Sequence, residues 1–69
     1  MIENEDYPIG NIVKRVREEK GLTQAELADL VGTSRAVIGN LESDRYSPTI
    51  KTINKVAKAM GLSLRITFE

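Results

Sequence analysis

The chain has 69 residues, and its ten lysines and arginines balance ten aspartates and glutamates, so the formal net charge is zero. A chain this short forms one domain at most and buries a modest core, so association with another chain is an expected source of added stability. Cysteine and histidine are both absent, which excludes disulfides, thiolate metal sites and the commonest catalytic base. We therefore predict no metal, no cofactor and no enzymatic activity.

The first seven residues carry Glu3, Glu5 and Asp6 but no base. We expect residues 1–7 to form a mobile acidic arm, unlike a targeting peptide. The apolar runs are too short to cross a membrane, and we expect a cytoplasmic protein. Residues 8–69 hold ten bases and seven acids. Any affinity for nucleic acid must therefore come from a local basic patch.

The first predicted helix spans residues 9–20. Pro8 suits the first position of a helix, and Gly21 suits its end. The apolar residues recur at helical spacing and are Ile9, Ile12, Val13 and Val16.

The second predicted helix is short and spans residues 24–31. Thr23 can cap its first amides, and Glu26 can bond back to Thr23 in a capping box. Gly32 ends the helix, because glycine accepts the left-handed conformation that the turn needs. Its apolar residues are Leu27, Ala28, Leu30 and Val31.

The third predicted helix spans residues 35–43 and begins after the cap residue Ser34. Its apolar stripe is Val37, Ile38 and Leu41. Ile38 and Leu41 would face the core, and the small Ala28 leaves room for the two helices to cross closely. Two short helices joined by a tight turn place the outer face of the second where it can enter a DNA major groove.

The fourth predicted helix follows Ser47 and Pro48, which read as a cap and a first-turn proline. Gly61 ends it. Its predicted buried face consists of Ile50, Ile53, Val56, Ala57 and Met60.

Residues 62–69 change period, because apolar and polar residues alternate as in a strand. The apolar positions are Leu62, Leu64, Ile66 and Phe68. A lone apolar strand is an aggregation hazard, so we predict that it pairs with the same strand of a second copy in a dimer. The alternative is that this tail folds back on the helices of its own chain.

Several segments of the chain resemble the Cro/CI-type (Xre) helix-turn-helix family. The matching segments are residues 21–28 (GLTQAELA), 31–35 (VGTSR), 38–42 (IGNLE), 47–48 (SP) and 59–62 (AMGL). The resemblance implies an all-α, lambda-repressor-like domain of four helices over residues 8–61, with the strand as an addition. It also implies a homodimeric transcriptional repressor that binds double-stranded operator DNA and blocks polymerase sterically.

The resemblance assigns roles to individual residues. The predicted base-reading residues are Ser34, Arg35, Ala36 and Asn40. The predicted phosphate-binding residues are Thr23, Gln24, Ser43, Arg45 and Lys51. Arg35 suits a bidentate pair with guanine, Asn40 suits adenine, and Ala36 can offer only its methyl group to thymine. For each the alternative is an ordinary solvated position, and for the stripe of Lys51, Lys55 and Lys58 as a whole a solvated face is preferred.

Two further points come from the same resemblance. Arg17 and Glu42 match a partly buried structural ion pair. Gly39 departs from many relatives, which carry a side chain there; it either permits close backbone approach or means fewer base contacts.

Residues 34–68 resemble the antitoxin-type HigA and HipB groups, which implies autoregulation and a toxin protein as partner. The main alternative is a protein-interaction module that uses this fold without reading DNA, which electroneutrality and Gly39 favour.

Overall fold

A computed structural model of the protein describes residues 9–45 and 48–69. Four helices follow one another in chain order: α1 Ile9–Glu19, α2 Gln24–Val31, α3 Arg35–Glu42 and α4 Ile50–Ala59. The predicted all-α architecture of four helices is confirmed. The predicted arm, Pro8 and Ser47 lie outside the described residues. Within the two described ranges, no helix is both long and apolar enough to cross a membrane.

The α2–α3 unit forms as its sequence predicts. The Thr23 hydroxyl accepts from the Glu26 amide at 3.0 Å, and the Glu26 carboxylate accepts from the Thr23 amide at 2.8 Å, which completes the capping box. Gly32 ends α2 with a φ of 86°, a conformation that a side chain would resist. Ser34 then caps α3 by accepting from the Val37 amide. These local bonds fix where each helix starts and stops.

The predicted start of α4 is wrong. Thr49, not Ser47, is the cap residue, because its hydroxyl accepts from the Thr52 amide at 3.1 Å. The helix begins at Ile50, so Pro48 precedes the cap instead of occupying the first turn. Both Ser-Pro and Thr can start a helix, and the local sequence does not decide between them.

The core lies where the four helices meet. Its buried residues are Val13, Leu27, Ala28, Ile38, Leu41, Val56 and Met60. Some apolar positions of the helices are exposed: Ile50, which was predicted to be buried, by 64%, Leu30 by 57% and Ile12 by 43%. A small domain has too little interior to cover every apolar position of its helices.

Residues 62–69 form no strand, which corrects the sequence prediction. The amide of Leu62 donates to the Ala57 carbonyl and thereby closes the end of α4. The tail then lies beside α1 and α4, where Leu64 faces Ile53 across an open apolar groove. A strand is defined by hydrogen bonds to a neighbouring strand, and residues 9–45 and 48–61 contain no strand with which this segment could pair.

Candidate nucleic-acid interface

A polar groove of about 340 Å³ runs along the outer face of α3, and we call it the recognition groove. Its lining residues are Gln24, Arg35, Ala36, Gly39, Asn40, Ser43 and Arg45. Six of these seven residues belong to the predicted base-reading and phosphate-binding sets. The fold therefore brings together side chains that are spread over 22 positions of the sequence.

Arg35 and Arg45 lie at opposite ends of α3, and both are exposed. An eight-residue helix is about 12 Å long, similar to the width of about 12 Å of the B-DNA major groove. Arg35 in the first turn of α3 and Arg45 just after its end place positive charge at both ends of the groove, which suits an anionic ligand. Arg35 also presents the paired donors that a guanine edge accepts.

The middle of the recognition groove is open. Asn40 and Ala36 are exposed. A Cβ added at Gly39 would meet only the Gln24 Oε1, at 3.8 Å, so this glycine is not required by packing within the chain. The floor of the groove is therefore low enough for a base edge to approach the α3 backbone.

Three predicted site residues lie outside the groove lining. Thr23 and Ser34 are helix caps whose oxygens already accept backbone amides, although each hydroxyl still has a proton to donate. Lys51 is exposed in the first turn of α4. The structure brings neither Ser34 nor Lys51 into contact with the groove that Arg35 and Asn40 share.

Behind the groove, a buried ion pair joins α1 to the end of α3. Arg17 Nε donates to Glu42 Oε2 at 2.6 Å, and Arg17 Nη2 donates to Glu42 Oε1 at 3.1 Å. A third donor of the same guanidinium, Nη1, reaches the Leu22 carbonyl at 2.6 Å. The predicted pair is thus present, with a planar fork geometry that lysine cannot reproduce.

Gln24 is tied to the same carboxylate, which the sequence did not reveal. Its Nε2 donates to Glu42 Oε1 at 3.1 Å, an orientation that follows because an ionised carboxylate only accepts hydrogen bonds. Glu42 therefore links α1, α2 and α3 through one carboxylate. The bond also fixes the Gln24 side chain at the edge of the recognition groove.

The network shifts the pKa of both charged partners. Burial alone would raise the pKa of Glu42, but hydrogen bonds from Arg17 and Gln24 and the positive charges of Arg17 and Lys14 lower it below its ordinary value. The hydrogen bond to Glu42 raises the pKa of Arg17 despite its burial. Both groups are therefore held in their charged forms.

Sequence reasoning also missed a second link, which joins α1 to the segment that follows α3. The Asp44 Oδ1 accepts from the Gly10 amide at 3.0 Å. Asp44 has a φ of 59° and is the only non-glycine residue with positive φ among those described. The available signal was a glycine in the first turn of a helix, where its low helix propensity needs a reason.

The comparisons with known proteins agree with this geometry. A model of the helix-turn-helix family HTH_3 matches residues 13–66. The chain belongs to this family. The match confirms the Cro/CI-type (Xre) resemblance, because it covers α2, the turn and α3 together with most of α1 and all of α4.

Curated relatives of this HTH_3 chain include regulators from phage and bacteria. The chain is 38% identical to the "Immunity repressor protein" of Bacillus phage phi105 over 56 residues, which is 81% of this chain and 39% of the relative. It is 38% identical to the "HTH-type transcriptional regulator PuuR" of Escherichia coli K12, over 80% of this chain and 30% of the relative. The chain thus spans about a third of the length of these two relatives.

Solved structures show the same fold. The restriction-modification controller protein C.AhdI from Aeromonas hydrophila superposes with a TM-score of 0.77 at 30% identity, over 81% of this chain and 85% of that one. SinR, solved in complex with DNA, gives a TM-score of 0.73 at 30% identity, over 80% and 89%. These relatives are named as regulators, so the chain belongs to a family of non-enzymatic helix-turn-helix regulators, as predicted.

Proposed function

We propose that this protein is a sequence-specific, double-stranded DNA-binding transcriptional repressor. The observation that carries the proposal is the recognition groove, in which Arg35, Asn40 and Arg45 are exposed together along one helix. The chain has no net charge, so this local cluster is the feature that supplies an anion-binding face.

In the proposed complex α3 lies in the major groove. Arg35 pairs with a guanine and Asn40 with an adenine, while Ser34 and the Ala36 methyl group complete the base contacts. The predicted phosphate contacts come from Thr23, Gln24, Ser43, Arg45 and Lys51. Phosphate contacts set the register of the helix on the duplex, and base contacts choose the sequence.

The relatives support this function by their names. One is a phage immunity repressor, another is a transcriptional regulator, and a structural neighbour was solved with DNA bound. Repression follows in the simplest way if an occupied operator overlaps a promoter and excludes polymerase. Autoregulation and an antitoxin role with a toxin partner rest on the HigA and HipB resemblance alone.

We further propose that the repressor is a homodimer that associates through its tail and the adjoining helices. Ile50, Ile66 and Phe68 are exposed by 64%, 54% and 98% around an apolar groove of about 670 Å³. This face presents both an exposed Phe68 and an apolar groove. In a two-fold dimer, Phe68 of each copy can therefore pack into the groove of the other copy. Leu62 and Leu64 extend the face. Two copies also provide two recognition helices, which helix-turn-helix dimers set about 34 Å apart.

The first experiment titrates the protein onto labelled DNA from upstream of its own gene and onto a scrambled duplex, at fixed salt. We expect the upstream duplex to bind more tightly, and Arg35→Ala to weaken specific binding by about tenfold or more. Arg15→Ala is the matched control, because it removes an exposed guanidinium of α1 that does not line the recognition groove.

Equal, weak binding to both duplexes would overturn sequence-specific repression from this operator. The second candidate, a protein-interaction module, is favoured by the zero net charge and by the exposed apolar face. Equal, weak binding to both duplexes, together with retained self-association, would support the protein-interaction module. A preference for upstream DNA that Arg35→Ala removes and Arg15→Ala keeps would support the repressor.

A further inference from the structure

The segment that follows α3 is anchored to the start of α1 by one side chain. Asp44 Oδ1 accepts from the Gly10 amide at 3.0 Å across 34 positions of sequence. First-turn amides of a helix have no partner inside the helix, and a carboxylate is favoured at that positive end. Asp44 therefore acts as a cap for α1 that comes from a distant part of the chain.

The approach of α1 to this segment is very close. A Cβ at Gly10 would lie 2.5 Å from the Leu41 carbonyl oxygen and 2.6 Å from that of Glu42. The first turn of α1 thus rests on the last carbonyls of α3. Because these neighbours are backbone atoms, the junction has little freedom to slide.

The backbone at Asp44 is held in an unusual conformation to make this contact. Its φ of 59° lies in the left-handed region, which Asp and Asn tolerate better than most residues. Its amide donates to the Leu41 carbonyl at 3.3 Å, and the next amide, of Arg45, donates to the Asn40 carbonyl at 3.2 Å. The chain is thereby turned back over the end of α3, and Arg45 is brought to the recognition groove.

We infer that Asp44 is a positioning residue for DNA binding, which clamps the segment after α3 to α1 so that Arg45 is held ready for a phosphate. The inference rests on the proposed DNA-binding function. Without the clamp, the backbone of Arg45 is held by its hydrogen bond to the Asn40 carbonyl at the end of α3, and ordering a freer segment on DNA costs conformational entropy. Asp44 itself is an anion, so it acts through Arg45 and not by touching phosphate.

Three substitutions separate the effect of the Asp44–Gly10 hydrogen bond from the effects of the left-handed backbone at residue 44 and of the Asp44 charge. Asp44→Gly keeps the positive φ at no steric cost but removes the oxygen acceptor. Asp44→Asn keeps both the left-handed tolerance and an acceptor oxygen while removing the charge. Arg45→Ala removes the cation that the clamp is proposed to position.

The experiment is a double-mutant cycle on the DNA duplex that the wild-type protein prefers, read as Kd over a range of salt concentrations. We expect Asp44→Gly and Arg45→Ala each to weaken binding by about threefold to tenfold and to lower the salt slope by about one. The double variant should bind as Arg45→Ala does, because the clamp has nothing left to position. Asp44→Asn should bind within about twofold of the wild type or more tightly.

A matched cycle with Arg35→Ala provides the control, since Arg35 lies at the other end of α3. There the losses should multiply, as they do for independent sites. Circular dichroism at the assay temperature checks that every variant is folded. Unchanged binding by Asp44→Gly, or losses that multiply with Arg45→Ala, would overturn the inference alone. Failure of the wild type to bind any duplex would overturn the proposed function as well.

Discussion

Two buried residues of opposite charge, Arg17 and Glu42, neutralise each other inside this protein. Glu42 is 6% exposed and Arg17 is 7% exposed, and neither would be stable there without the other. The pair can be expected from a family resemblance, but its third member cannot. Whether Gln24 contacts phosphate, solvent or Glu42 depends on where α2 lies relative to α3, which is a tertiary fact.

The low pKa of Glu42 predicts an acid-sensitive stability. Its carboxylate is ionised to a lower pH in the folded than in the unfolded chain. Its contribution is therefore fully present above the unfolded value of about 4.3 and is lost as the pH falls towards the lower folded value. Glu42→Gln should cost about 3 kcal/mol near neutral pH, because Arg17 is left without its counter-charge. Below about pH 4 the difference from the wild type should shrink. Urea unfolding from pH 7 down to pH 2.5 checks this, and a constant difference would contradict it.

Among the elements, α1 packs closely on the end of α3 because Gly10 has no side chain. Two glycines lie inside helices, and they have opposite surroundings. Gly10 is buried against backbone carbonyls, whereas a Cβ at Gly39 would make only an ordinary contact, with the Gln24 side chain at the edge of the recognition groove. The same residue type in the same secondary structure therefore serves packing at one position and leaves a ligand surface open at the other.

This contrast gives a paired prediction. Gly10→Ala should destabilise the fold by about 2 kcal/mol, because overpacking against backbone that cannot rotate away outweighs the gain in helix propensity. Gly39→Ala should stabilise it by about 0.5–1 kcal/mol, because the added methyl group meets only an ordinary contact. Thermal unfolding of both variants measures the two effects. A loss of stability in Gly39→Ala would show that the space above α3 is filled in the free protein.

At the scale of the whole molecule, the apolar surface exceeds what one small core can cover. The exposed apolar residues in the tail are Leu62, Ile66 and Phe68, and those beside it on α1 and α4 are Ile9, Ile12 and Ile50. Among the described residues the tail lies against α1 and α4, and these two helices leave the apolar side chains exposed. The alternation of apolar and polar residues over residues 62–69 predicted a strand because it produces one apolar face. Whether a strand forms depends on hydrogen bonds to another strand.

Charge placed on this face should separate the copies. Phe68→Asp should shift the protein from twice the chain mass of 7.7 kDa towards the single-chain mass, because a dimer would have to bury an unpaired carboxylate. Leu30→Asp is the control, since Leu30 is 57% exposed on α2 and does not line the tail groove. Sedimentation equilibrium at several concentrations measures both. A wild-type protein that stays at the single-chain mass, or equal effects of the two variants, would contradict dimerisation through this face.

Local chemistry in the sequence by itself determined the four helices apart from the start of α4, the capping box of Thr23 and Glu26, the left-handed turn at Gly32 and the outward face of α3. These depend on bonds within a few residues and on a 3.6-residue period, so they can be predicted without the fold. The tertiary structure alone decided the bond from Gln24 to Glu42, the cap of α1 by Asp44 and the path of the tail. Those features join residues far apart in the chain, and their partners exist only once the helices have packed.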